Sequence, residues 1–316
     1  MFKKLIIAFA CVGLILMISG FILIKGNLKS IVDAFASDED YELITKTGSE
    51  KIDEVYLDLS DRNVTFYHSE DESYKVTFYE SEKDKINFSI DNGKLTMKNV
   101  KRKFNFFNFN NKSNNVRTVD IYLPISFQGK MQLDLTSGKL NLDSFNIFSL
   151  EIDITSGNIN INNVEVESDV KIELTSGKAN IDSLMTNNFD FDGTSGKVTI
   201  MNSEFKNKGN VEMTSGNIDI IDSSIPTIVA RSTSGNIDFQ NIVSNHIDID
   251  ITSGNADLTI LGNVTDYKIE IDVTSGNVLY QGLKIKGQTI NPNGIKSIKI
   301  ELTTGNGTIE FVEVEK

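Results

Sequence analysis

The triplet Thr-Ser-Gly occurs eight times in this chain of 316 residues, and a ninth copy reads Thr-Thr-Gly. The glycines that close the nine copies are residues 138, 157, 177, 196, 216, 235, 254, 276 and 305. Six of the eight intervals between them are 19 or 20 residues, and the last two are 22 and 29 residues. A period of about 20 residues is too short for a helix-turn-helix repeat but accommodates two short strands and two turns. The repeat therefore predicts a stack of β coils.

Residues around each triplet alternate between apolar and polar with the period of a β-strand. The position three before each Thr is always apolar: Leu133, Ile152, Ile172, Phe191, Val211, Ala230, Ile249, Ile271 and Ile300. The position four after each Gly is apolar as well: Leu142, Ile161, Ile181, Ile200, Ile220, Phe239, Leu258, Tyr280 and Ile309. Stacking coils at ~4.8 Å joins these faces into one core. The sequence thus predicts an all-β fold, with a regular parallel β-helix (β-solenoid) of 19–20-residue coils over residues 127–316.

Each triplet is expected to form the turn between two strands of a coil. Thr suits a strand end because its Cβ is branched, and Gly adopts a positive φ without a steric clash. The following residue is Asn or Lys, and we expect the asparagines to stack into an amide ladder: Asn158, Asn217, Asn236, Asn255, Asn277 and Asn306. We interpret the repeated Ser as structural rather than catalytic, because eight identical turns have no base nearby in sequence.

A column of carboxylates accompanies the repeat. Two positions before each Thr, eight of the nine copies carry an acidic residue: Asp134, Asp153, Glu173, Asp192, Glu212, Asp250, Asp272 and Glu301. Like charges ~5 Å apart destabilise a ladder, so bound cations would offset the repulsion. One interpretation is therefore a column that binds Ca²⁺, other cations or a cationic surface polymer. The other is a hydrated face that keeps the solenoid soluble.

Composition excludes several classes of function. The formal net charge of −13 argues against nucleic acid as a partner, because duplex binding neutralises phosphates with Lys and Arg. Two histidines far apart in sequence, His68 and His246, make a zinc site or His-based catalysis a poor prediction. The single Cys11 cannot form an intrachain disulfide. No cofactor other than the possible Ca²⁺ is expected.

The N-terminus carries a candidate membrane segment. Lys3 and Lys4 precede an uncharged run over residues 5–24, and twenty helical residues span about the 30 Å of bilayer hydrocarbon. The run predicts a retained transmembrane helix after a cytoplasmic tail of residues 1–4, although the small residues at 34 and 36 also allow a cleaved signal. Residues 25–50 read as a juxtamembrane linker or helix, and the rest of the chain is placed outside the cytoplasm.

Residues 51–126 read as irregular first coils built from short strands. Residues 94–117 hold seven basic residues and no acidic one. Seven residues there are candidate contacts with an anionic membrane or an acidic wall polymer: Lys101, Arg102, Lys103, Phe104, Phe106, Phe107 and Phe109. The alternative is a hairpin whose phenylalanines cover the end of the solenoid.

Several motifs in this order resemble the bacterial LiaG-like putative adhesin family of β-strand-repeat proteins. They are Asn63-Val64-Thr65-Phe66, Asp91-Asn92-Gly93-Lys94-Leu95, Asp120-Ile121-Tyr122-Leu123-Pro124 and the serial Thr-Ser-Gly-Asn turns. The resemblance covers roughly residues 52–312. It implies a parallel β-helix in the bacterial cell envelope, often linked to envelope-stress genes, with no catalytic residues to transfer.

The leading functional hypothesis is a single-pass protein of the bacterial cell membrane that presents a non-catalytic solenoid for interaction or adhesion. Its partners would be the membrane, through the N-terminal helix, and a cell-wall polymer or envelope protein. An accessory or sensory partner of another membrane protein is the alternative. A polysaccharide-degrading β-helix enzyme is disfavoured, because the acids are serial and no distinct constellation interrupts the repeat.

Overall fold

The computed structural model describes residues 40–100 and 114–313. They form two short 3-10 helices, Asn114–Arg117 and Val264–Asp266, and one sheet system. Its strands are β1 (Glu42–Gly48), β2 (Glu54–Leu59), β3 (Arg62–His68), β4 (Tyr74–Glu80), β5 (Ile86–Asp91), β6 (Lys94–Asn99), β7 (Thr118–Leu123), β8 (Lys130–Asp143), β9 (Asn146–Ile147), β10 (Ser149–Val166), β11 (Asp169–Met201), β12 (Glu204–Ile221), β13 (Thr227–Ser234), β14 (Ile237–Ile242), β15 (His246–Ser253), β16 (Ala256–Leu261), β17 (Tyr267–Tyr280), β18 (Leu283–Ile285), β19 (Gln288–Ile290) and β20 (Lys296–Val312).

The predicted tail and membrane helix, residues 1–4 and 5–24, lie outside the described residues. Among those described, none belongs to a helix long and apolar enough to cross a bilayer. The predicted linker over residues 25–50 is wrong in its last part, because Glu42–Gly48 is a strand that pairs antiparallel with β4. This segment alternates weakly and is mostly exposed, so its sequence carries little sign of the pairing.

The repeat forms the predicted parallel solenoid. Coils pair in register, so that Ser137, Ser156 and Ser176 of three successive triplets are neighbours across the strands. Both predicted apolar columns lie in the core, each residue at most 3 % exposed. Tyr280 is the exception and is only partly buried, because it lies on the last coil of the stack. One hydrophobic core therefore runs from rung to rung, as the alternation predicts.

The glycine of each triplet fixes the contact between rungs. At Gly196, φ is +130°, and a Cβ there would overlap the carbonyl oxygen of Gly177 on the preceding rung. The same overlap, of each Cβ with the backbone of the adjacent rung, holds at all nine triplet glycines. Only glycine therefore lets the corners stack this closely.

The order of the last two coils differs from the order in sequence. The final strand β20 pairs in parallel with β15 and β16 on one edge and with β17 on the other. The Thr-Thr-Gly coil thus lies between the coils that contain Gly254 and Gly276, whereas simple serial stacking would place it at the end. Residues 281–295, which connect β17 to β20, also break the regular solenoid expected over 127–316 by adding the short strands β18 and β19.

The N-terminal end mirrors this arrangement. Strands β2 and β3 pair in parallel with β8 on one edge, and with β6 and β7 on the other. Residues 60–62 stack on the first triplet, with Arg62 beside Gly138. The Arg62 guanidinium is fully buried and bonds Asp84 at 2.9 Å, which neutralises the charge at the end of the core. Residues 51–126 therefore contain one true coil, flanked by parallel and antiparallel strands.

We expect Gly196→Ala to destabilise the fold much more than Gly282→Ala. Gly282 also has a positive φ, +77°, but nothing lies within 4 Å of a Cβ there. In the control, Gly282→Ala, backbone strain should lower the free energy of unfolding by roughly 1–2 kcal/mol. In Gly196→Ala, overlap with the neighbouring rung should lower it by roughly 1–3 kcal/mol more. Urea denaturation of both variants measures the difference. Equal losses would contradict the close stacking of the corners.

Candidate functional site

A groove of about 590 Å³ runs along the solenoid beside the triplet corners. Its lining includes five residues of the predicted carboxylate column: Asp153, Glu173, Asp192, Glu212 and Asp250. It also includes the threonines of six consecutive triplets: Thr155, Thr175, Thr194, Thr214, Thr233 and Thr252. Six rungs at ~4.8 Å give the groove a length of ~24 Å. The repeat therefore offers carboxylates and hydroxyls at one fixed spacing.

All eight predicted carboxylates lie on the outward side of their strands and are exposed or half-buried. Because β20 is inserted, Glu301 lies between Asp250 and Asp272 in the column. The column also has a member that the sequence reasoning missed, Asp58, which pairs with Asp134 across β2 and β8. Asp58 stands two positions before Ser60, the spacing of the other carboxylates before Thr, but no Thr-Ser-Gly marks its coil.

Basic side chains of the same face offset part of the repulsion. Lys171 bonds Glu173 at 2.5 Å, and Lys299 bonds Glu301 at 2.8 Å. Arg231 replaces a carboxylate in the column and bonds Glu212 at 2.9 Å. These pairs leave Asp153, Asp192 and Asp250 in the groove without a salt bridge within 4.0 Å among the described residues.

Burial and neighbouring charges together raise the pKa of two column members. Burial, followed by the charges of Asp190, Glu212 and Glu173, raises the pKa of Asp192. Burial also raises the pKa of Asp134, together with Asp153 and Asp58, against a hydrogen bond from Tyr56 that lowers it. The column therefore holds its negative charge at some cost, and cations in the groove would relieve it.

The spacing does not assemble a compact metal centre. Within the described residues, no group of three or more His, Cys, Asp or Glu side chains could hold one metal ion. One carboxylate per rung instead spreads the charge along the axis. Calcium binding by the column stays a prediction without a coordination site to support it.

The floor of the groove changes in its middle rungs. The residue before Thr is Leu, Ile, Met or Val in seven of the nine repeats, but it is Gly193 in one and Ser232 in another. A Cβ on Gly193 would overlap Sδ of Met213, so this methionine fills the space of the missing side chain. Ser232 is 3 % exposed, and its hydroxyl has no hydrogen-bond partner in the described structure. The groove therefore lies over the least uniform part of the core.

A ladder forms at five of the six predicted asparagines, with backbone N–H groups as donors. Asn158 lies between Lys139 and Lys178 and has no asparagine neighbour in its column. The side-chain oxygen of Asn217 accepts a hydrogen bond from the backbone N–H of Asn236, at 3.2 Å. The pattern continues through Asn255 and Asn306 to Asn277. Amide-to-amide stacking occurs instead three positions after Gly, where Asn160 donates to Asn141 at 2.9 Å and Asn180 donates to Asn160 at 3.1 Å. The prediction of amide-to-amide bonds after the triplet was therefore wrong, because the exposed corner N–H groups take the asparagine oxygens.

The basic, phenylalanine-rich candidates at positions 101–109 lie outside the described residues. The two histidines lie far apart, on different strands. His68 contacts the carbonyl oxygen of Ser144, and His246 Nδ1 lies 3.1 Å from Ser297 Oγ. No described carboxylate bonds the His246 ring, so a charge-oriented Ser-His-acid arrangement is not formed there.

Comparison with known proteins assigns the chain to a family. The profile of the Toastrack DUF4097 family matches residues 52–312. The chain belongs to the Toastrack DUF4097 family. This match covers the whole span of the LiaG-like resemblance, while the narrower likeness to LiaG stays a prediction. No curated protein matches the chain.

Solved structures that match this chain include three bacterial proteins. A putative adhesin from Parabacteroides distasonis is 15% identical with a TM-score of 0.44, over 87% of this chain and 98% of that one. A putative adhesin from Bacteroides fragilis is 12% identical with a TM-score of 0.39, over 86% and 97%. A putative cell adhesion protein from Clostridium sporogenes is 14% identical with a TM-score of 0.28, over 86% and 100%.

The raised pKa of Asp192 predicts that this residue destabilises the fold as pH rises. Its ordinary value is 3.8. Between that value and the raised one, the folded state binds more protons than the unfolded state, so stability falls with rising pH. Asp192→Asn should therefore raise the unfolding free energy at pH 7 by less than about 1 kcal/mol, because solvent screens the exposed charge. It should also flatten the pH dependence above pH ~4, as urea titrations at several pH values would show. Asp192→Glu, which keeps the charge, should retain the slope, and a loss of stability at pH 7 in the Asn variant would contradict the prediction.

Proposed function

We propose that this Toastrack protein is a membrane-anchored protein of the bacterial cell envelope whose solenoid binds an extended, amine-bearing polymer along the groove. The observation that carries the proposal is the groove itself, in which threonines recur on six successive rungs over ~24 Å and carboxylates on five of the six, with Arg231 on the other. A polymer with regularly spaced amines and hydroxyls can satisfy many of these groups at once. The rigid stack holds the groups in place before binding, which lowers the ordering cost.

Binding of this kind is electrostatic and multivalent. One exposed ion pair contributes at most about 1 kcal/mol, so a single amine would bind weakly. Several pairs on one chain add, because each further contact is intramolecular. The interaction should therefore select polymers over monomers and weaken steeply with salt.

The proposed location follows from the sequence. Residues 5–24 anchor the protein in the membrane, and residues 25–41 join this span to β1. The acidic solenoid then stands outside the cytoplasm, where it can contact wall polymers or envelope proteins. A link to envelope stress, implied by the LiaG-like resemblance, fits a protein that contacts the wall from the membrane.

The proposal treats the solenoid as non-catalytic. The carboxylates of the groove repeat at every rung, whereas catalysis needs one acid or base distinguished from its neighbours by its environment. The paired His246 and Ser297 lie on the exposed starts of β15 and β20, where neighbouring strands bring them together. Their contact is explained by the parallel register alone.

Neutralising the groove should abolish binding to an amine-bearing polymer. The test variant is Glu173→Gln with Asp192→Asn and Glu212→Gln, and the matched control is Asp219→Asn with Asp238→Asn and Asp257→Asn. Both variants remove three negative charges, but the control residues lie three positions after the triplet glycine and do not line the groove. The full chain in detergent is sedimented with cell-wall fractions and, separately, with polylysine.

We expect at least ~10-fold weaker binding of the groove variant, and near-normal binding of the control at equal salt. Equal loss in both variants would show that net charge alone attracts the polymer. Unchanged binding of the groove variant would contradict the proposed site.

We further propose that segment 101–113 contacts an anionic membrane or wall surface, because it carries four basic residues and four phenylalanines without an acid. Replacing residues 101–113 with a Gly-Ser linker of equal length should reduce sedimentation with anionic liposomes or wall fractions several-fold. The replacement spares Val116, whose carbonyl oxygen accepts a hydrogen bond from Arg62 at 3.0 Å.

Two further variants separate charge from hydrophobicity in this segment. One changes its Lys and Arg residues to Gln, and the other changes its phenylalanines to Ser. Reduced sedimentation of both variants would show that the basic residues and the phenylalanines both contribute to the surface contact. Undiminished sedimentation of the linker variant, with the thermal unfolding of the parent protein, would contradict the proposed contact.

A further inference from the structure

The last coil of the chain fills a slot between two earlier coils. Strand β20 pairs at thirteen positions on each side: with β15 and β16 between His246 and Leu261, and with β17 between Tyr267 and Tyr280. Its apolar residues Ile298, Ile300, Leu302 and Ile309 are at most 2 % exposed. A terminal strand therefore has the environment of a central one.

Polar contacts with both neighbouring rungs fix the register of β20. The backbone N–H of Asn306 donates to the Asn255 side chain at 3.0 Å, and the N–H of Asn277 donates to the Asn306 side chain at 3.2 Å. Thr308 Oγ1 also donates to Asp257 at 2.6 Å. Each contact crosses from one rung to the next, so none depends on how the chain arrives in the slot.

The two edges of the slot are also complementary to each other. The coil with Gly276 carries the same apolar and triplet pattern as the coil with Gly305, so it could stack directly on the coil with Gly254. During synthesis, β17 is complete before β20 exists. Both edges of the slot are therefore synthesised before the coil that fills it.

Residues 281–295 connect β17 to β20, the strand that fills the slot. Strands β18 and β19 within them pair only with β17, at Val278–Tyr280 and Ile269–Ile271. The segment holds exposed residues, including Leu283 and Ile295 at 69% and 84% exposure. It can therefore stay on its own β17 or extend towards another molecule without disturbing the core rungs.

We propose that the slot between β15–β16 and β17 also accepts β20 of a second copy of this chain, which gives a strand-exchanged dimer. Every contact of β20 is reproduced in the exchange, because the incoming coil is identical. The monomer is favoured in dilute solution by the short tether, and the dimer at high local concentration. The inference does not depend on the polymer-binding groove, and its test uses no ligand.

The experiment mixes two full-length variants, each with Cys11→Ser. One carries Ser253→Cys and the other Thr304→Cys, because these exposed residues are partners on adjacent parallel strands. Neighbouring Cα atoms at ~4.8 Å permit a disulfide. The proteins are unfolded together, refolded at several concentrations and oxidised. A single chain with both cysteines shows whether the pair can close within one molecule.

We expect a disulfide between the two variants that increases with concentration. The control replaces Ser253→Cys by Ser156→Cys, whose strand neighbours are Ser137 and Ser176 rather than Thr304. The Ser253 pair should give at least ~5-fold more crosslinked dimer than this control. Equal yields would reveal random contact and overturn the proposal. It is also overturned if the doubly substituted chain crosslinks internally while the mixture gives no interchain disulfide.

Discussion

The close approach of successive glycines at the triplet corner sets every other feature of the solenoid. At each triplet the backbone of one rung occupies the position where the next glycine would carry a Cβ, so only one vertical register is possible. A slip by one residue would turn the apolar residues outward. With the corners fixed, equivalent residues of all rungs stack in columns, and each column has the chemistry of its one position in the repeat.

Stacking stabilises some columns and strains others. Apolar columns merge into a single core, and asparagine columns form hydrogen bonds along the axis. The carboxylate column cannot relax in this way, because the backbone spacing holds its charges ~5 Å apart. Lys171, Arg231 and Lys299 neutralise part of it, while Asp192 retains a raised pKa. Repeated carboxylates on a rigid backbone are therefore a cost to the fold and the basis of a multivalent binding surface.

The sequence was sufficient for features that depend on one repeat at a time. It predicted the core columns and the outward carboxylates, because these follow from alternation. The expectation that each triplet forms a turn between two strands was wrong for seven of the nine copies, which lie inside a continuous strand. The sequence could not order the last two coils, since the triplets ending at Gly276 and Gly305 present the same pattern to the coil with Gly254. Asp58 and β1 were missed for a related reason. Neither carries the triplet, and only long-range pairing with Asp134 and with β4 places them.

The two ends of the repeat cover their open sheet edges in the same way. The first coil, β2–β3, and the last, β20, lie inside the stack, and segments from between coils form the outer rungs. At the C-terminal end, β18 and β19 cover parts of the β17 edge, and Lys286 donates to the carbonyl oxygen of Thr274 at 2.9 Å. A solenoid with bare ends would add further coils from other molecules without limit. Covering the ends while leaving one interior coil separable limits association to exchange of that coil, because each slot takes one coil and each chain supplies one.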